Sequence, residues 1–362
     1  IDPDFDWPHG HFDDYYCESV DIRECEFTEN IATDVCAIYI KGGEFTKVTV
    51  DFCNFYNNNN DGTQRECIQS ECQEFIIKNT KFIYNPQSEK TTRPIRAEKG
   101  RLLVQNCEFE NVNMITYNNQ GTTIHSTIQA TAEIDNVTLT NCGTHTSQRR
   151  TTIWCYSTMF YLSNSIIKFD DYNNAVAAVH VEAPSVDLQI INNTFCNCSS
   201  NANPSTKEHR TQRGSVYYWC SQPSNQDENI VICNNTIDHC QFSNKEGFGL
   251  SISPTTDNIN FSKNTFQNFG SQETGSDYIC LFIFQNAISQ LIFDNCTFKN
   301  IVSNSLYGGG TGFWIQGSGQ NYDLKFAKCS FVNSTVQSGS DQRQGYGGGL
   351  QFGITDTNYY PN

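Results

Sequence analysis

The residues best suited to chemistry in this 362-residue chain are its seventeen cysteines. Such a number points to an oxidising, extracytoplasmic compartment. Cys25 with Cys53, Cys296 with Cys329, and Cys198 with Cys240 occupy matching positions in consecutive repeats of the sequence. If the repeats stack as strands, such partners lie about 4.8 Å apart, inside the Cα range that a disulfide spans. The competing reading makes inward cysteines small apolar fillers that stay reduced. Because seventeen is odd, one thiol is free or bonded outside this chain.

Acid–base chemistry finds less support. Asp13–Asp14 and Asp170–Asp171 are the only Asp doublets. The first lies in an acidic aromatic stretch and the second follows Phe169 at a turn, so both read as solvated carboxylates. Arg96, His180 and Glu182 face outward on strands, but different repeats hold them far apart, and no catalytic centre is expected. His9, His11, Asp13 and Asp14 have the donor types of a divalent-metal site and are read instead as an acidic tail. Cys36, Cys67 and Cys72 do not match a compact zinc spacing. No metal or cofactor is expected.

Arginine is distributed unevenly. Seven of the ten, Arg65, Arg93, Arg149, Arg150, Arg210, Arg213 and Arg343, fall in the segments between one repeat's Phe and the next repeat's first strand. Stacked, those segments form a cationic stripe on an acidic rod, able to dock an acidic partner. The alternative is pairing with nearby acids such as Glu66 and Glu208.

The repeat that positions all these residues is clearest from Leu291 to Asn300, LIFDNCTFKN. It reads apolar, any, apolar, any, Asn, small or Cys, any, Phe, any, Asn. Period-two alternation marks a strand. The core-facing parity shifts across Asn295, so the strand bends there and resumes on a new face; Asn tolerates the left-handed conformation this needs. Counted on the Phe position, the copies are anchored at Phe27, Phe55, Phe82, Phe109, Leu139, Ile167, Phe195, Ile237, Phe266, Phe298 and Phe331. The intervals are 27 to 33 residues, with one of 42. A near-constant period identifies a solenoid. Two further positions per copy are apolar in every repeat, and a third strand lies upstream, as in CAIYI from Cys36, PIRA from Pro94 and AVHV from Ala178.

The sequence therefore predicts an all-β parallel solenoid of eleven to twelve coils, three short strands per coil, about 50 Å long. It forms one unit over residues 17–362, with residues 203–214 as an insertion and the coil after Ile354 incomplete. Residues 1–16 form an acidic aromatic arm whose start reads as processed or truncated. A net charge of −16 disfavours nucleic-acid and anionic-membrane roles. No apolar run reaches the roughly 18 residues of a membrane helix.

Parallel strands in threes, an Asn at one bend and inward aliphatic and Phe columns resemble the right-handed parallel β-helix of the pectin-lyase-like superfamily. That resemblance implies an asparagine ladder through Asn79, Asn106, Asn136, Asn164, Asn192, Asn234 and Asn295, interrupted at Glu24, Phe52, Lys263 and Lys328. The FxxN pieces at Phe27, Phe55 and Phe82, with Gly347 to Leu350, also resemble polymorphic surface β-helix proteins, which are adhesins. The paired Asp motifs, Gly-His-Gly and Arg-x-Lys of pectinolytic hydrolases do not occur in this sequence.

Seven glycosylation sequons occur. Asn136, Asn192, Asn234 and Asn295 are bend positions whose amides the ladder consumes. Asn197, Asn260 and Asn333 are the better acceptors. Trp154, Trp314, Tyr39, Tyr156 and Tyr218, read as exposed on upstream strands, offer sugar-stacking faces.

The expected function is a non-enzymatic extracellular or cell-surface rod, structural or adhesive, with a carbohydrate-binding or carbohydrate-active β-helix as the alternative. Self-association is expected end to end: Trp7 and Phe12 pack on a neighbouring copy while Asp2, Asp4 and Asp6 approach its arginines, building a filament.

Overall fold

The structure, a computed structural model, describes residues 18–32, 35–40, 47–60, 66–86, 92–114, 122–144, 151–170, 177–183, 187–198, 216–220, 230–240, 250–253, 258–270, 282–285, 290–303, 311–316, 323–336 and 350–355. Within them every regular element is a β-strand, and the strands pair in parallel between successive coils. The chain is an all-β parallel solenoid, as the periodicity predicts.

The register agrees with the sequence columns residue by residue. The anchors Phe27 through Phe331 stand opposite one another in a single sheet. The first and second apolar positions, Val20 through Leu324 and Ile22 through Phe326, do the same on the neighbouring face. A third column runs from Ile38 through Ile95, Ile153 and Leu250 to Phe352 on the upstream strands. Parallel strands of equal pitch bring identical ring types face to face. Phe27, Phe55, Phe82 and Phe109 stack with centroids 4.7, 4.7 and 4.9 Å apart. Phe55, Phe82 and Phe109 are fully buried, and truncation of any one to Ala costs about 3–5 kcal/mol.

Every motif turns once through the left-handed region, and nine of the eleven turn again two residues after the anchor, Tyr84 and Phe169 holding that place in the other two. All eleven first-bend residues have φ between 50° and 61°, including the non-asparagines Glu24, Phe52, Lys263 and Lys328. The outer ladder forms there. Asn106 Nδ2 donates to Asn79 Oδ1 at 3.1 Å, Asn136 to Asn106 at 2.8 Å, Asn192 to Asn164 at 3.1 Å and Asn234 to Asn192 at 2.8 Å. Between Asn136 and Asn164 the carboxylate of Asp135 takes over as acceptor, at 2.7 Å.

A second ladder, which the sequence pattern did not single out, lies inside. The residue after the bend faces the core, in the column that holds Cys53, Thr80, Cys107, Ser165 and Cys296. Asn193, Asn235 and Asn264 stand there, 2%, 1% and 0% exposed. Asn193 N and Nδ2 donate to Asn235 Oδ1 at 2.9 and 3.1 Å. Asn235 N and Nδ2 repeat this onto Asn264 Oδ1 at 2.9 and 3.0 Å. Each amide also reaches a carbonyl of the preceding coil, as Asn235 Nδ2 does to Ile190 O at 2.8 Å. Buried amides persist because every donor and acceptor is used.

Some coils add a short fourth strand after the Phe strand, Ile31–Ala32 pairing Asn59–Asn60 and Asn113–Met114 pairing Gly143–Thr144, and two coils fuse the upstream strand with the motif strand. Ile124–Asp135 and Thr151–Ser163 run unbroken through the corner that elsewhere divides the upstream strand from the motif strand, joining both sets into one 20-stranded sheet. Small hydroxylated residues make the corner passable: Ser126 and Ser157 hydroxyls meet at 3.3 Å, and Thr127 Oγ1 donates to Glu98 O at 2.6 Å. One coil earlier the corner is made by Gly100 at φ +68°, where Arg101 N donates to Gln73 O at 2.7 Å.

Candidate functional site

The outward face of the upstream strands gathers the most chemically capable side chains. Register places Tyr39, Gln69, Arg96, His125, Trp154 and His180 in one column. Each alternates with inward residues, as Arg96 does with Ile95 and Ala97. Glu66 and Arg93, paired at the starts of their strands, close over this column.

Glu66 is the hub, at 2% exposure. Its Oε1 accepts from Arg93 Nη1 at 3.1 Å and from Arg96 Nη1 at 2.9 Å. Arg96 Nη2 also pairs with Glu98 Oε1 at 2.9 Å, and Gln69 Nε2 donates to the same oxygen at 2.9 Å. Glu66 Oε2 has no hydrogen-bond partner among the described residues. Arg93 Nη1 further meets His125 Nδ1 at 2.9 Å. A guanidinium only donates, so His125 accepts through Nδ1 and carries its proton on Nε2. Burial, with Arg93 and Arg96 close by, holds His125 well below the usual histidine range, so the ring is neutral. Burial also brings Arg93 down to about 10, which leaves it charged at neutral pH.

The His125 ring stacks on Trp154 at 5.1 Å, and Trp154 on His180 at 5.7 Å. All three are 4% exposed. Trp154 is therefore not the exposed sugar platform that strand alternation suggests, because histidines from both adjacent coils sandwich it. Arg93 is not part of a free cationic stripe either; it is buried against Glu66, the acid that the alternative reading names. Arg96 and His180 are separated, as expected, but Arg96, His125, Trp154 and His180 are successive members of one column. What sequence reasoning missed is the link through His125. The signal was there, since His125 lies one repeat after Arg96.

Chemically, this arrangement is a staple. The carboxylate is neutralised by two guanidiniums, the imidazole is neutral, and its accepting nitrogen is occupied. Its solvent edge is formed by the partly exposed Arg96 and Glu98, with Tyr39 beside them, 53% exposed and donating through Oη to Glu71 Oε1 at 3.1 Å. Register puts Trp314 at the far end of the same column and Tyr218 in the column of Val181 and Ile252.

The predicted cysteine pairs share columns across adjacent coils. Cys53, Cys198, Cys240 and Cys296 are buried, Cys329 is half-buried and Cys25 is exposed at the first described coil; none of the three pairs is joined by a disulfide in the structure. Their Sγ atoms donate to carbonyls, as Cys296 does to Phe261 O at 3.5 Å and Cys329 to Phe293 O at 3.4 Å. Burial pushes Cys296 up to about 11 and Cys198 well above the ordinary thiol range.

Asn197 and Asn333 stand at the second left-handed bend, with φ of 56° and 53°. Asn197 Nδ2 donates to Phe169 O at 2.7 Å, and Asn333 Nδ2 to Asn300 Oδ1 at 3.3 Å. The argument that sets aside first-bend asparagines as glycan acceptors thus applies to these two as well. Asn260 is exposed between the core residues Ile259 and Phe261. The predicted docking residues Asp2, Asp4, Asp6, Trp7, Phe12, Arg65, Arg149, Arg150, Arg210, Arg213 and Arg343 lie outside the described residues, as does the insertion 203–214. No known protein family, curated protein or solved structure matches the chain.

Proposed function

We propose that this chain is a non-enzymatic structural or adhesive rod of the extracellular space or cell surface, related in kind to pectin-lyase-like β-helices. The observation that carries the reading is the use made of the acid and base side chains on the upstream face. Glu66, Arg93, Arg96 and His125 are spent on one another across three coils, as ladder residues are, which serves rigidity rather than turnover. Exposed charges on the motif strands are shared between coils in the same way: Arg101 bridges Glu74 at 3.2 Å and Glu133 at 2.8 Å.

End-to-end self-association belongs to this reading. Val20, Ile22 and Phe27 at the first described coil, and Leu324, Phe326 and Phe331 at the last motif strands, are only partly buried. They are the first and last described members of the same columns, and in this reading a second copy stacked head to tail continues both register and ring stacking. Sedimentation velocity at rising concentration, on the whole chain and on the chain lacking residues 1–16, is the test. Concentration-dependent growth that the deletion weakens is expected; a monodisperse monomer in low salt overturns the docking model.

One observation favours glycan contact as the second reading. An open groove follows the outer ladder, lined by Asn79, Lys81, Asn106, Glu108, Asn136 and Thr138. Amides, a cation and a hydroxyl at the coil repeat are donors and acceptors suited to a polysaccharide. Glycan-array binding that is lost on Asn106→Ala favours this alternative, and depolymerisation of an acidic polysaccharide by the purified chain overturns the non-enzymatic reading.

A further inference from the structure

The strands Val35–Ile40 and Glu66–Ser70 pair with a break in register. Val35 faces Glu66 and Ile38 faces Ile68, so Cys36 and Ala37 together stand opposite Cys67. Two residues against one is the arrangement of a bulge, which re-aims a side chain. Here it leaves Cys36 packed against the core and facing the fully buried Cys67 of the next coil. The pair lies in a polar pocket within the core. The buried Tyr84 and Thr92 lie near the two sulfurs. Tyr84 Oη and Thr92 Oγ1 are 2.9 Å apart, and Thr92 donates to Asn58 O at 2.8 Å.

The two thiols are not equivalent. Cys67 is 0% exposed, whereas Cys36 is half-buried and within reach of solvent. Hydrogen bonding from Cys67 is the main influence holding Cys36 below the ordinary thiol range, while burial keeps Cys67 protonated, well above it. An accessible sulfur that ionises first, facing a buried sulfur that stays protonated, matches an attacking thiol with its resolving partner.

We propose that Cys36 and Cys67 are a redox-active pair that closes to an inter-coil disulfide on reaction with a low-molecular-weight disulfide. The Cys36 thiolate attacks one sulfur of the reagent, forming a mixed disulfide and expelling the other half as a thiolate. Cys67 then attacks the Cys36 sulfur; the mixed bond breaks, the second half leaves, and the Cys67 proton goes with it. Two protein thiols are oxidised and one external disulfide is reduced to two thiols. The closed bond ties the first described coil to the coil that carries Glu66, independently of whether the rod is adhesive.

The test treats the reduced, full-length chain with oxidised glutathione, followed by alkylation and peptide mapping. A Cys36–Cys67 cross-linked peptide is expected to form faster than any cross-link from the core column. Cys67→Ser should accumulate glutathione on Cys36, because resolution is blocked. Cys36→Ser should leave Cys67 reduced and unmodified while the chain stays folded by circular dichroism. Recovery of both wild-type cysteines as free thiols, bonding of either to another cysteine, or a folded Cys67→Ser chain without a Cys36 adduct overturns the proposal. Where a serine variant does not fold, the wild-type map decides by itself.

Discussion

Replacing Asn235 with Leu tests whether the inner ladder is a principal support of the fold. The side chain is 1% exposed and takes part in four hydrogen bonds: it accepts from Asn193 N and Nδ2, and donates to Ile190 O and Asn264 Oδ1. Leucine has the same branched skeleton of four heavy atoms and is larger, so it leaves no cavity, and any overpacking adds to the cost. The cost comes from the partners left behind. Asn193 N loses its side-chain acceptor and Ile190 O loses its side-chain donor; Asn193 Nδ2 keeps Leu162 O at 2.9 Å. At about 1–3 kcal/mol for each of the two buried groups deprived of a partner, Asn235→Leu should cost about 2–6 kcal/mol. Guanidinium unfolding followed by circular dichroism measures this, with Asn234→Ala as control. Asn234 is the adjacent residue, exposed, at φ 55°, with its amide on the outer ladder. Replacing Asn193, Asn235 and Asn264 together by Leu should cost less than the sum of the three single changes, because abandoned donors and acceptors disappear with their partners. If Asn235→Leu loses less than about 1 kcal/mol, or no more than Asn234→Ala, the ladder is ornamental and the reasoning fails.

Phe52 sits at a left-handed bend, φ 53°, and is 59% exposed, so Phe52→Asn should stabilise by about 1 kcal/mol; an unchanged unfolding midpoint would count against the conformational argument. At Gly100 a Cβ would lie 2.0 Å from Gln73 O on a backbone of φ +68°, and Gly100→Ala should cost about 3 kcal/mol or more in the same assay. His125, facing Arg93 and Arg96 from one adjacent coil and Trp154 from the other, stays neutral in the fold. The unfolded chain protonates it near pH 6.5, so its contribution to stability is lost as pH falls below about 6.5, at up to about 1.4 kcal/mol per pH unit. Unfolding free energies at pH 7 and 5 should differ less in His125→Gln than in the wild type. Non-reducing peptide mapping should recover Cys25 with Cys53, Cys296 with Cys329 and Cys198 with Cys240 as disulfides from oxidising expression; free thiols at all six would reject those pairings.

The sequence by itself determined the repeat, the strand alternation and the membership of the inward columns. The reason is local: a strand that buries one face must alternate, and a coil of constant length returns the same residue type to the same place. Thus Phe27 to Phe331, and Val20 to Leu324, were legible as columns before any coordinates. Where the chain bends, that legibility stops. Asn192 and Asn193, or Asn234 and Asn235, are identical neighbours in sequence, and only the reversal of facing at the bend sends one to solvent and the other to the core. Trp154 alternates outward like any strand residue, yet is enclosed because His125 and His180 arrive from coils 29 and 26 residues away. Arg93, predicted for an exposed edge, is drawn inside by Glu66 one coil earlier. Cys36 and Ala37 face Cys67 together only because the register breaks there. These outcomes depend on partners from adjacent coils and on small shifts in facing at bends and bulges, which a one-dimensional pattern does not carry and stacking in three dimensions settles.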